Sequence, residues 1–295
     1  MADKIADYFE EFNTSEKREI TIENLLAHTS GFQAWKPFYL ISNFKSEIPN
    51  LIAAEPLENP PNKRVVYSDL NFLILGFVLE KIYGKSLYNV AQKEIFTPLK
   101  LENTFFNPPK RLQKQIAANE NGNRYEIQMA VEKDFKVNDK QIQNPKSKIQ
   151  NRMVWGEVHD GNCYFMDGVS GHAGLFSTVK EIFKIAQQFL PNQTTILKPE
   201  TCKLFRTNFT PNSNEARSVA FQLAETKVST ASKALTKDSF GHLGFTGTSL
   251  WIEPETERIF ILLTNRTHVH ELPFANINET RRKFHELAAR VLNEK

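Results

Sequence analysis

The chain has 295 residues, of which 40% are hydrophobic and 24% charged, a composition typical of a folded protein with a sizeable core. Its 37 Lys and Arg against 34 Asp and Glu leave a net charge of +3, which gives no reason to expect a nucleic acid partner. Two cysteines are too few for a disulfide framework, and no apolar run reaches the ~18 residues of a membrane span.

The termini and the basic segments add little to this picture. The N-terminal stretch MADKIADYFEEF is acidic and amphipathic, so it is not a signal peptide. As written, the sequence predicts a cytoplasmic protein, although a longer parent protein could equally be periplasmic or secreted, and we leave the compartment open. The densest basic stretch, residues 133–152, is also rich in Asn, Gln and Asp, which predicts a solvated insertion loop.

The first half of the chain has helical patterns. A short capped helix is predicted at Thr21–His28, closed by the Ser-Gly pair that follows. Ser68 or Asp69 caps a helix that Gly84 ends, and this helix is apolar on almost every side, which indicates burial. A further helix is predicted to begin at Ser86.

The second half changes its pattern. The glycine-rich stretch GEVHDGNCYFMDGVSGHAGLFST leads into a helix with a capping box formed by Thr178 and Glu181. TSLWIE and RIFILLT are predicted strands joined by the four-residue loop 254–257. Residues 278–293 are predicted to form a final amphipathic helix.

These elements predict an α+β protein in which helices flank an antiparallel sheet beside a mainly helical lobe. We expect a single unit over residues 1–295. Within it, 1–205 would form the mainly helical lobe and loops, and 206–295 the sheet hairpin and C-terminal helix.

One strand has an unusual composition. The stretch FGHLGFTGTSLW, residues 240–251, carries His242 and three glycines where a sheet would favour bulky side chains. Glycine weakens a strand, so it usually marks a bulge or the close approach of another backbone or a ligand. A histidine beside such a gap indicates a functional edge.

Three segments together point to a known family. ITIENLLAHTSGF at residues 20–32 precedes the stretch VYSD at 66–69, and HLG follows at 242–244. In this order, with their flanking elements, they resemble the serine β-lactamase and penicillin-binding-protein-like hydrolases, especially the class C and esterase-like branch. The resemblance runs from about Ala6 to Asn293. The glycine-rich stretch is similar to a subgroup that acts on cell-wall muropeptides or is encoded near enzymes that do.

The resemblance implies a β-lactamase/transpeptidase-like fold and an acyl-enzyme hydrolase that acts on a small ester, amide or peptide, such as a muropeptide fragment. Tyr67 would be the proton relay, and Asp69 would position the family's lysine. His242 would replace the cationic lysine of the family's strand motif and become charged near its ordinary pKa. No cofactor and no metal are implied.

The same resemblance implies three substrate-binding residues. Gly244 would let the substrate backbone approach, and the N–H of Phe245 would be one oxyanion donor. Ser68, the middle residue of the Tyr-Ser-Asp motif, completes the set.

The family's Ser-x-x-Lys nucleophile motif is not found at its expected place, upstream of the LLAHTSG segment. Later matches begin at Ser42 and at Ser177, and such short motifs are weak on their own. The resemblance therefore implies a chain that lacks the N-terminal strands and the nucleophile helix. We expect it to be inactive or impaired, and to self-associate through exposed sheet surface.

Two alternatives remain open. The chain would be a non-catalytic binding module if it keeps the substrate groove without the nucleophile. A zinc hydrolase would need ligands such as His159, Asp160, Cys163 and His172, but a glycine-rich loop at the substrate rim is the favoured interpretation of this stretch. His28 is expected to be structural and to bind the last carbonyls of its helix.

Overall fold

A computed structural model describes residues 1–135, 152–268 and 270–294. Most of the predicted insertion loop at residues 133–152 therefore lies outside the described residues. Four antiparallel strands in the order β1-β2-β3-β4 form one sheet. Their bounds are Gln222–Leu223 (β1), Phe240–Leu243 (β2), Ser249–Glu253 (β3) and Arg258–Leu262 (β4).

Helices and the loops that connect them form the rest of the described chain, which confirms the predicted α+β class. Their bounds are Ile22–Leu26 (α1), Ile48–Ala54 (α2), Asp69–Tyr83 (α3), Leu87–Ala91 (α4), Arg124–Glu132 (α5), Gly161–Phe165 (α6), Val179–Gln187 (α7), Pro199–Cys202 (α8) and Asn278–Asn293 (α9). The predicted hairpin corresponds to β3 and β4, and the predicted final helix to α9. None of the helices in these ranges is both long and apolar enough to cross a membrane.

The glycine at the start of the unusual strand makes room for a tryptophan. Gly241 pairs with Trp251 across β2 and β3, and a Cβ on Gly241 would lie 2.5 Å from the Trp251 side chain. Trp251 is fully buried. Close packing of the sheet therefore explains this glycine, and not the approach of a ligand.

Helix α3 ends as predicted, because Gly84 takes the left-handed conformation at φ 60°. Helix α1 ends earlier than predicted. His28, two residues past its end, is itself left-handed at φ 58°, so the turn begins before the Ser-Gly pair. At α7, Thr178 accepts the predicted bond from the Glu181 N–H, but the Glu181 carboxylate instead accepts from the backbone N–H groups of residues 102 and 103.

Two apolar cores carry these elements. The helical lobe packs around residues such as Phe12, Phe32 and Leu70. A second core joins Phe240 and Ile252 of the sheet to Ala186 of α7, so a helix that precedes residue 205 packs on the sheet. The division at residue 205 stays a prediction.

Candidate active site

The first candidate residue, Tyr67, lies just before α3 between two imidazole rings. Its ring centroid is 4.5 Å from that of His28 and 5.8 Å from that of His242. Tyr67 remains 43% exposed and lines a cleft of about 630 Å³. Although the side chain as a whole is partly exposed, the loss of solvent around the phenol, followed by the negative charge of Asp69, raises the pKa of Tyr67 above its ordinary value. The residue is therefore a neutral phenol at neutral pH.

His242 reaches the same cleft from β2. Its burial, followed by the positive charge of Arg217, lowers the pKa of His242 to about 4. The expectation that His242 becomes charged near its ordinary pKa is therefore wrong, because a buried imidazole beside a cation favours its neutral form.

The cation beside these two residues is Arg217, which sequence reasoning missed. The Arg217 guanidinium lies over the Tyr67 ring at 5.5 Å from its centroid. Its Nε is 2.6 Å from Oε1 of Glu215. Arg217 lies in no motif, and its contact with Tyr67 joins residues 150 positions apart, so no local signal could have found it.

Asp69, the first residue of α3, also faces the cleft. One of its carboxylate oxygens, one carboxylate oxygen of Asp160 and one ring nitrogen of His172 all lie within 4.8 Å of one another. Burial raises the pKa of Asp69 to about 6, against the opposing charge of His172. The predicted lysine partner of Asp69 is not among the described residues near it, and His172 is the cation that acts on it.

His172 links the glycine-rich loop to Asp160. Its Nε2 lies 2.9 Å from Oδ1 of Asp160, and its Nδ1 lies 2.6 Å from Oγ of Ser170. Although burial opposes the charge, Asp160 raises the pKa of His172 to about 9. The imidazolium therefore donates at both nitrogens, so Ser170 is an acceptor here and His172 cannot act as its base.

The four candidate zinc ligands, His159, Asp160, Cys163 and His172, do not meet at one point. His159 Nε2 lies 2.9 Å from Oε2 of Glu120, and Cys163 Sγ donates to the Ala173 carbonyl at 3.3 Å. The residues that do meet are Asp160 and His172, together with Asp69. A metal would have to displace the proton that His172 holds between its two acceptors.

Ser68 does not reach the cleft. It is 0% exposed, its hydroxyl donates to the Gln33 carbonyl at 2.6 Å, and its N–H donates to Nδ1 of His28 at 3.1 Å. These bonds fix the backbone directly after Tyr67, so this placement favours a structural role for Ser68 over the predicted contact with substrate.

The other predicted binding residues lie on the turn between β2 and β3. Gly244 and Phe245 both line the cleft, and the Phe245 N–H donates to no acceptor among the described residues. A Cβ on Gly244 would lie 2.0 Å from Oγ1 of Thr248, so packing within the turn already requires this glycine. The free N–H keeps Phe245 available as an oxyanion donor, a group worth about 3 kcal/mol in acyl-transfer sites.

Helix α9 holds this turn in place through a second arginine that sequence reasoning missed. Arg281 is buried, and its guanidinium donates to the carbonyls of Gly244, Gly247 and Thr248 at 2.7, 3.0 and 2.9 Å. Three charge-assisted bonds from one planar group fix the carbonyl directions, and with them the direction of the Phe245 N–H.

The serines of the two later Ser-x-x-Lys matches lie elsewhere. The Ser42 hydroxyl donates to the Glu47 carboxylate, and Lys45 binds Asp167 at 2.7 Å. Ser177 Oγ lies 2.9 Å from Oγ1 of Thr104 and lines a neighbouring cavity of about 740 Å³. Among the described residues that line the cleft at Tyr67 there is no serine.

Comparison with known sequences identifies the family. A model of the Beta-lactamase family matches residues 1–281. A protein of Escherichia coli (strain K12), named for a predicted D-alanyl-D-alanine carboxypeptidase activity, is 32% identical over 288 residues, covering 90% of this chain and 63% of that protein. A protein of Salmonella agona (strain SL483) named in the same way is 31% identical, covering 85% of this chain and 58% of its own length. The chain thus spans less than two thirds of these relatives.

Solved structures share the fold. The β-lactamase/D-alanine carboxypeptidase from Pseudomonas syringae has a TM-score of 0.67 at 13% identity, covering 97% of this chain and 76% of that chain. A penicillin-binding protein homologue from Caulobacter crescentus has a TM-score of 0.66 at 13% identity, covering 98% and 76%. The fold is β-lactamase/transpeptidase-like, as the motifs implied. With the match over residues 1–281, it follows that the chain belongs to the β-lactamase family of hydrolases.

Proposed function

We propose that this chain forms most of the active site of an acyl-transfer serine hydrolase that cleaves a peptide amide or an ester. The observation that carries the proposal is the meeting of Tyr67, His242 and the free Phe245 N–H at one cleft. A phenol, an imidazole and an oxyanion donor are the groups needed around a reacting carbonyl. The names of the relatives favour a peptide ending in D-alanyl-D-alanine.

In the proposed reaction a serine oxygen bonds to the substrate carbonyl carbon while the carbonyl oxygen, becoming negative, accepts from the Phe245 N–H. The serine proton passes to the Tyr67 oxygen as the phenol proton passes to the leaving nitrogen or oxygen. The bond between the carbonyl carbon and the leaving group then breaks, and water releases the acyl group by the same steps. A neutral Tyr67 suits this relay because it accepts one proton as it gives another.

We further infer that the attacking serine comes from residues outside these 295. The support is that Ser42 and Ser177 are both bonded to other side chains, and no serine lines the described part of the cleft. Loss of a nucleophile costs on the order of 10⁶ in kcat, so this chain alone should be nearly inert.

The test is labelling of the 295-residue protein with a fluorophosphonate probe, followed by mapping of any adduct by mass spectrometry. We expect no stoichiometric adduct on the folded chain. An adduct on Ser42 or Ser177, abolished by the matching serine-to-alanine substitution, would show that the nucleophile lies within the chain.

A non-catalytic binding module is the second candidate, and the absence of a serine among the described cleft residues favours it. An acetylated D-alanyl-D-alanine peptide separates the two candidates in a longer protein that supplies a Ser-x-x-Lys helix. For the enzyme, Tyr67→Phe and His242→Ala abolish release of D-alanine while the fold is retained, and Tyr88→Phe is the matched control. Binding without release, unchanged in Tyr67→Phe, would favour the module.

A further inference from the structure

A buried guanidinium lies beside Tyr67 and His242. Arg217 lies just before β1 and is 5% exposed. Its Nε forms an ion pair with Glu215, and the residue lines a small cavity of about 230 Å³ with Tyr67, Gln222, His242 and Leu243. A guanidinium keeps its charge at every pH that a protein survives, so this corner of the site carries a constant positive charge.

The signs of the surrounding charges determine what Arg217 does. Asp69 and Asp160, from the starts of α3 and α6, act on Tyr67 against deprotonation. His28, behind the Tyr67 ring, is buried and neutral. Arg217 acts in the opposite direction, because a cation favours the phenolate form of tyrosine and the neutral form of histidine.

We propose that Arg217 is a positioning residue, the fixed cation that adds to burial in favouring the neutral His242 imidazole and that stabilises negative charge on the Tyr67 oxygen as the phenol gives up its proton. The positive charge that the sequence predicted on His242 is thus on the neighbouring side chain of Arg217. The catalytic meaning of this assignment rests on the proposed function, but the charge assignment itself is testable on the chain alone.

The first experiment follows the His242 ring by NMR from pH 3.5 to 8 in the 295-residue protein, with His242→Asn to assign the signal. Arg217→Gln is expected to raise the pKa of His242 by about one unit, a tenfold change in proton affinity. Arg217→Lys, which keeps a cation, should leave it near the native value. Arg206→Gln is the matched control, because Arg206 is exposed and paired with Asp238. An unchanged titration in Arg217→Gln would overturn the proposal.

A partner substitution separates charge from structural damage. Glu215→Gln removes the anion that partly neutralises Arg217, so it should lower the pKa of His242, or leave it too low to titrate while the protein is folded. Loosened packing would instead raise the pKa in both variants, because water would reach the imidazole. A rise in Glu215→Gln would therefore contradict the proposal.

Tyrosine nitration by tetranitromethane, which attacks the phenolate, gives an independent measurement. Tyr67 and Tyr88 are 43% and 44% exposed, so Tyr88 serves as the internal standard within each sample. Arg217→Gln should reduce nitration of Tyr67 relative to Tyr88 by about tenfold, the effect of one pKa unit, and an unchanged ratio would contradict the proposal. If these charge effects occur but no hydrolase activity is found in any longer protein, the proposed function fails and the assignment of the cation stands.

Discussion

The imidazole of His28 supports the backbone that carries Tyr67. The His28 and Tyr67 ring centroids are 4.5 Å apart, and His28 Nδ1 accepts from the N–H of Ser68 at 3.1 Å and lies 3.2 Å from Nδ2 of Asn71. Burial lowers the pKa of His28, so the ring stays neutral and keeps its acceptor. His28 was expected to bind the last carbonyls of α1; instead it is an acceptor for the start of α3.

We predict that His28→Ala destabilises the protein by about 3 kcal/mol, because a buried N–H loses its acceptor and a cavity opens beside Tyr67. Urea unfolding monitored by circular dichroism gives the free energy of unfolding. His270→Ala is the control, since His270 is exposed. Equal stabilities of the two variants would show that His28 is dispensable for packing.

The second prediction concerns the arginine that holds the turn between β2 and β3. Arg281→Gln removes three bonds to the carbonyls of Gly244, Gly247 and Thr248, so the turn should open more often. Exchange of the Gly244 and Gly247 amide hydrogens, both bonded within the turn, should become about tenfold faster, which corresponds to ~1.4 kcal/mol of local stability. Lys283→Gln, an exposed change on the same helix, should leave these exchange rates unchanged. Unchanged rates in Arg281→Gln would show that Arg281 does not hold the turn in place.

Local signals were enough to predict the elements that carry the site. The glycine at the end of α3, the loop between β3 and β4 and the period of α9 each act within a few residues, so the sequence displays them directly. Short patterns with their flanking elements likewise singled out Tyr67 and His242, which lie at one cleft, and their catalytic roles stay a prediction.

The features of the candidate site that the sequence did not predict depend on contacts between distant segments. Arg217 and Arg281 act on the site through the tertiary fold, and neither lies in a motif. The neutral state of His242 follows from burial and from the charge of Arg217, neither of which is visible in a tripeptide. Ser68 was predicted to contact substrate because of its place in the motif, although its side chain turns inward to Gln33.

The third prediction concerns metal binding by Asp69, Asp160 and His172. We expect substoichiometric zinc in the purified protein and an unchanged melting temperature after chelation at pH 7, because His172 keeps its proton between Asp160 and Ser170. Elemental analysis and differential scanning calorimetry provide the two measurements. One tightly held zinc per chain, lost in His172→Gln but not in His268→Gln, would revive the metal hydrolase alternative.

The last prediction concerns the pH dependence of stability and rests on Glu126, a buried carboxyl group on α5. Its burial, followed by the negative charge of Asp160, raises the pKa of Glu126 from 4.5 to about 7. The folded state therefore holds this proton more tightly than the unfolded state does. Below pH 4.5 Glu126 does not lower the free energy of unfolding. As the pH rises from 4.5 to 7 it lowers this free energy progressively, and above pH 7 the loss is constant.

Glu126→Gln should remove this penalty while keeping an oxygen for the Gly161 N–H, which Oε1 of Glu126 accepts at 2.9 Å. Relative to the native chain, the variant should gain up to about 3 kcal/mol in free energy of unfolding between pH 4.5 and pH 8, at ~1.4 kcal/mol per pKa unit. Urea unfolding at both pH values measures the gain, with Glu132→Gln on the exposed side of α5 as the control. Only a group that changes its proton affinity on folding makes stability depend on pH. If the free energies of unfolding of the variant and the native chain differ by the same amount at both pH values, Glu126 is already ionised without cost in the folded state.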